Sequence, residues 1–82
     1  MPVVLRLDGL RVQIYPNDHR PPHVHVIGRG GELVFVLNCP TGPLVLDKSY
    51  QFSLVEARRI GTALEARLDE LCAAWSRLHG DF

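Results

Sequence analysis

The hydrophobic pattern changes period at Ser53, and that change divides the chain into a sheet-forming part and a helical part. Before it, apolar and polar residues alternate. Leu10-Arg11-Val12-Gln13-Ile14-Tyr15 alternates strictly, and His23 to Ile27 sets Val24 and Val26 opposite His23 and His25. Period-two alternation is the mark of a half-buried strand. After Ser53, Ala57, Ile60, Leu64, Leu68, Leu71, Trp75 and Leu78 recur at spacings of three or four, an apolar stripe along one helical face.

The punctuation between these runs is equally readable. Asp8-Gly9 supplies a tight hairpin turn between Val3–Leu7 and the strand that follows. Gly28, Gly30 and Gly31 mark a second turn, after which Glu32 to Leu37 is almost wholly apolar, as a strand covered on both faces would be. Cys39-Pro40-Thr41-Gly42-Pro43 breaks the pattern, and Leu44-Val45-Leu46 adds a short edge strand. Ser53-Leu54-Val55-Glu56 fits a capping box and Gly80 a helix stop. The expected architecture is therefore α+β: a small antiparallel sheet of four or five strands in residues 1–46, followed by one long helix over 53–79 packed on one face. A helix of roughly 26 residues would run about 40 Å, more than such a sheet covers. Either Gly61 interrupts it, or Leu71, Trp75 and Leu78 are left bare for a protein partner or a second copy of the chain.

At 82 residues, the whole of 1–82 reads as one domain that buries roughly 60–65% of its unfolded surface. Apolar residues make up 46% and charged residues 22%, too hydrophobic a balance for disorder. Nine basic residues offset nine acidic ones, so no global field draws the chain to nucleic acid or a membrane surface. No run approaches the roughly 18 apolar residues of a membrane span. Cys39 and Cys72 show no metal or redox spacing, and without a leader-like start the chain reads as cytoplasmic with both thiols reduced.

The chemistry concentrates in Asn17-Asp18-His19-Arg20-Pro21-Pro22-His23-Val24-His25-Val26, which holds three of the four histidines. Imidazole titrates near neutral pH, ligates metals and shuttles protons. On a strand, His23 and His25 share a face about 6.6 Å apart and can converge on one metal ion, zinc or nickel by donor type. Asp18 or His19 from the loop supplies a third ligand, leaving a position open for water. The same residues also read as a plain solvated sheet face. Arg6, Arg11, Tyr15 and Arg20 form a second set, able to contact RNA phosphates with Tyr15 stacking on a base, or simply an ordinary wet face.

Met1 to Val12, Tyr15-Pro16-Asn17-Asp18-His19 with Pro21-Pro22-His23-Val24-His25-Val26, and the tail ending Ala74-Trp75 together resemble a family of small, mostly bacterial proteins known as domain of unknown function 4160. The proline pair leading into His-x-His after Asp-His is the specific part; Asn38 to Tyr50 departs from the pattern. The resemblance implies a gene beside a second small protein, as in toxin–antitoxin pairs, and implies no established activity. It matches the family motif at Asp18, His19, His23 and His25. The leading expectation is a cytoplasmic partner-binding protein of such a module with a metal or nucleic-acid site. The alternatives are a small ribonuclease using His19, His23 or His25 as acid and base, disfavoured by the single lysine Lys48, and a metal-binding or structural module without catalysis.

Overall fold

The computed structural model describes residues 3–80. Residues 1, 2, 81 and 82, which the single-domain reading and the expected opening Met1-Pro2 include, lie outside that range. Five strands form one antiparallel meander in sequence order: β1 Val3–Leu7, β2 Leu10–Gln13, β3 His23–Gly28, β4 Gly31–Val36 and β5 Val45–Tyr50. Two of the hairpins have the predicted turn chemistry. Asp8 and Gly9 sit at φ 50° and 78°, and Arg29 and Gly30 at 51° and 76°, the paired positive values of a tight turn that follows strand twist.

Two helices follow rather than one. α1 spans Leu54–Glu65 and α2 spans Leu68–His79. The start is as expected: the Ser53 hydroxyl accepts the Glu56 amide proton at 3.1 Å, and the Glu56 carboxylate accepts that of Ser53 at 3.0 Å. The break falls at Ala66–Arg67, not at Gly61. Arg67 leaves helical geometry at φ −117° and ψ 20°, and its amide donates to Leu64. The longest dimension of the molecule is 32 Å, shorter than the single rod the stripe predicts. Folding the rod at residues 66–67 lets both halves return to one core. Gly61 has another use, for a Cβ there would come within 3.2 Å of the Phe35 ring.

The core joins Leu10, Val12 and Ile14, Val24 and Val26, and Leu33, Phe35 and Leu37 to Ala57, Ile60, Leu64, Leu68, Leu71 and Trp75. Leu71 and Trp75 are therefore interior, 1% and 0% exposed, and of the three residues expected to be bare only Leu78 is, at 41%. The bend supplies the coverage that a straight helix could not.

Two further expectations are corrected. The last strand runs Val45–Tyr50, not Leu44–Leu46, and it carries a bulge: Phe35 pairs with Leu46 but Val34 with Lys48, leaving Asp47 unpaired. Cys39 and Cys72 are bonded to each other, their Cα atoms 5.8 Å apart, rather than reduced. The pairing ties the segment after β4 to the middle of α2, two elements the sequence separation of 33 keeps out of view.

Candidate functional site

His23 and His25 stand on the face of β3 opposite the buried Val24 and Val26. Directly opposed residues of antiparallel strands share a face, and the register sets Gln13 against His25, His25 against Val34 and Val34 against Lys48. One residue row thus crosses four strands. The loop between β2 and β3 folds back over it. The Tyr15 ring lies 4.7 Å from that of His25, and the Tyr15 amide donates to the Asp18 carboxylate at 2.9 Å while the Asp18 amide donates to the Tyr15 carbonyl at 3.1 Å. That reciprocal pair fixes the aspartate above the strand.

Asp18, His23 and His25 come together there, each offering one ligand atom, all within 4.8 Å of one another. Their side chains are 13%, 18% and 15% exposed. The orientation of both rings is determined. His23 Nδ1 donates to the Pro21 carbonyl at 2.8 Å, an oxygen that can only accept. His25 Nδ1 donates to the Glu32 carboxylate at 2.9 Å. A ring in its neutral form then presents its Nε2 lone pair inward. The two Nε2 atoms lie 3.5 Å (His23) and 3.3 Å (His25) from the Asp18 carboxylate.

With both rings neutral, three acceptors face one another, an arrangement that a metal ion among them, or protons on the Nε2 atoms donated to Asp18, would balance. Ligands bonded at about 2.0–2.2 Å in tetrahedral geometry stand roughly 3.3–3.5 Å apart, the spacing of Asp18 from each imidazole. A metal here would have Asp18, His23 and His25 as protein ligands and an open fourth position. Glu32 and the Pro21 carbonyl would hold the rings in the correct tautomer, as the outer partners of metal-bound histidines do. Gln13, opposite His25, is 3% exposed, and its side-chain carbonyl has no protein partner; it is an acceptor beside the histidines whose donor no protein group supplies.

Residues of α2 touch this arrangement directly. His79 Nε2 donates to the Tyr15 carbonyl at 3.0 Å and stacks on Trp75 at 4.2 Å, which in turn lies 5.5 Å from the His23 ring.

Of the residues singled out from the sequence, the structure brings together Asp18, His23 and His25. His19 is exposed and stands outside the triad, along a cleft of about 210 Å³ that it shares with Arg20, His23, His25, Asp47 and Lys48. Arg6 and Arg11 are paired across β1 and β2 on the histidine face, two residues along from the triad row, and Tyr15 is turned onto His25 rather than outward. Glu32 was not anticipated. Its signal was present, since a two-residue turn at Arg29-Gly30 sets Ile27 opposite Glu32 and so makes Glu32 the diagonal neighbour of His25.

A family model described as "Domain of unknown function (DUF4160)" matches residues 9–76, from the turn of the first hairpin into α2. The chain belongs to the DUF4160 family. No curated protein and no solved structure matches it. The matched segment contains every residue of the triad, Glu32, Lys48 and both cysteines. Among the described residues of this DUF4160 protein, no helix is long and apolar enough to cross a membrane.

Proposed function

We propose that the protein is a metal-binding module holding one divalent ion, zinc by donor type, on Asp18, His23 and His25. The carrying observation is the arrangement of acceptors: both Nδ1–H groups are committed to oxygens outside the cluster, so two Nε2 lone pairs and a carboxylate face one space. Two imidazoles and one carboxylate suit zinc, and nickel is the second choice. The open position would hold a water whose pKa the ion lowers, and the adjoining cleft gives a substrate access to it. The metal-free alternative is the ribonuclease reading, in which a protonated imidazole donates from Nε2 to Asp18 and the pair serves as acid and base.

A small protein partner, as in a toxin–antitoxin-like pair in the cytoplasm, is what the family resemblance adds. Such a partner would not seat on Leu71 and Trp75, which are buried. Among the described residues, the exposed large apolar side chains are Val45 and Tyr50 on β5, Leu54 and Val55 at the start of α1, and Leu78.

The test is titration of apoprotein with Zn²⁺ and Co²⁺ alongside His23→Ala/His25→Ala and Asp18→Asn. The expected result is one ion per chain, with affinity falling at least a hundredfold in the double histidine variant. Equal affinity of wild type and variants would overturn the metal centre and return the histidines to acid–base or structural roles.

A further inference from the structure

β5 is the last strand of the sheet, so one of its edges carries main-chain donors and acceptors that no strand among the described residues pairs. Such an edge is open to a further strand unless something guards it. Every residue of β5 except Leu46 is exposed. Val45 and Tyr50, one at each end, are large and apolar. Between them stand the neighbouring opposite charges Asp47 and Lys48.

The bulge decides where these side chains point. Leu46 and Lys48 are two residues apart and on a regular strand would share a face. Because Asp47 is unpaired, Leu46 lies opposite Phe35 but Lys48 lies opposite Val34, and directly opposed residues share a face. Ser49, opposite Leu33, joins Leu46 on the core side; Val45, opposite Val36, and Tyr50, opposite Glu32, join Lys48 on the histidine side. Asp47 lines the histidine-side cleft together with Lys48. Now let a second β5 run antiparallel to the first, about a two-fold axis normal to the sheet between Asp47 and Lys48. Val45 then meets Tyr50, Leu46 meets Ser49 and Asp47 meets Lys48, and every pair joins side chains of one face. An unbulged strand could not do this, because adjacent residues at the axis would point to opposite faces. The pairs are also favourable ones, β-branched with aromatic at the ends and opposite charges at the centre. A slip of one residue either way sets Asp47 on Asp47 or Lys48 on Lys48, like charges that destabilise.

We infer that β5 is the interface through which two copies of this chain join, edge to edge, into one continuous antiparallel sheet. Bulges and lysines commonly keep sheet edges apart; here the two together make the strand complementary to itself, as a two-fold interface requires. The core side of the same edge carries an apolar groove of about 650 Å³ between β5 and α1, lined by Phe35, Leu44, Leu46, Leu54 and Ala57 among others. An axis normal to the sheet keeps the helices of both copies on one side, so α1 of the second copy flanks this groove and the exposed Leu54. On the other side, Lys48 of the second copy stands across from Asp47 and extends the wall of the cleft beside the triad. One strand and a groove make a small interface, so the dimer is a weak one, half associated at about 10–100 µM.

Sedimentation of the full-length chain across the micromolar range tests this, with circular dichroism as the control for folding. Lys48→Asp sets acid against acid across the axis, and Asp47→Lys sets base against base. Each is expected to associate at least tenfold more weakly than wild type, while an equal mixture of the two forms a heterodimer. Asp47→Lys/Lys48→Asp only exchanges the charges, and its association should return to within threefold of wild type. Amide exchange above and below the association range should show protection gained over Val45–Tyr50 and none over Val3–Leu7 at the other edge. A chain that stays monomeric throughout overturns the inference and leaves this edge unused by a second copy. A dimer whose association changes less than twofold in both single variants overturns the register, and one that protects β1 instead of β5 overturns the interface.

Discussion

Glu32 holds His25 from outside the triad: its carboxylate accepts from His25 Nδ1 at 2.9 Å and has no ligand atom in the cluster itself. A glutamate in that position fixes the tautomer and raises the basicity of the ring. Glu32→Gln is therefore expected to weaken zinc affinity about 10- to 100-fold while leaving the fold intact. Isothermal titration on the variant, with circular dichroism as the control for folding, checks this. Unchanged affinity would mean that the ring is oriented by the Tyr15 stack alone.

The hairpins and the start of the helical part were legible because they rest on local chemistry. Asp8-Gly9 and the Ser53/Glu56 box each act within a few residues, and the structure keeps both. The shared face of His23 and His25 followed from strand periodicity alone. What was not legible depends on contacts between distant segments. No proline or glycine marks the break at Ala66–Arg67, since it answers to the length of the core rather than to a local breaker. The Cys39–Cys72 pairing needs α2 to double back. The position of Lys48 depends on one unpaired residue in β5, and a one-residue slip changes the face of everything beyond it.

Cys39–Cys72 closes a loop whose ends are 33 residues apart. In the chain-entropy model, a loop of that size contributes about 3.5–4 kcal/mol by restricting the unfolded state. The oxidised protein is therefore expected to unfold at a distinctly higher denaturant concentration than the reduced protein or Cys39→Ser/Cys72→Ser. Urea melts with and without reductant measure the difference, and thiol alkylation of native protein reports the starting state. Identical melts, with both thiols alkylated in the native protein, would show the cysteines to be merely adjacent.

The capping box predicts a specific pH response. Hydrogen bonds from the Ser53 backbone and side chain hold the Glu56 carboxyl below its ordinary value of 4.5, with Arg29 and Arg59 adding to the effect. A carboxylate depressed by folding contributes stability above its unfolded pKa and loses it as pH falls through the folded value. Wild type should thus lose stability on acidification below about pH 4.5 more steeply than Glu56→Gln, which has no proton to take up there. Ser53→Ala should cost roughly 0.5–2 kcal/mol at neutral pH. Thermal melts at several pH values decide both; parallel pH profiles for wild type and Glu56→Gln would exclude the cap as the source.

Trp75 separates a core helix from an interface helix. Its indole is fully buried within the one chain, shares the core with Leu64, Leu68 and Leu71, and lies against His23 and His79. Removing a buried aromatic side chain typically costs about 3–5 kcal/mol, a large part of the stability of a domain this small. Trp75→Ala is therefore expected to unfold or to melt far below wild type, whereas Trp75→Phe, which keeps most of the volume, should remain folded. The indole fluorescence of wild type should be that of a buried ring at concentrations where sedimentation shows a monomer. Because His23 rests on this ring, Trp75→Phe should also bind zinc more weakly than wild type. The contrary result would be a Trp75→Ala protein that stays folded with a wild-type melt and loses only an oligomeric or partner-bound form. Trp75 would then belong to an interface, and the bend at Ala66–Arg67 would open in solution.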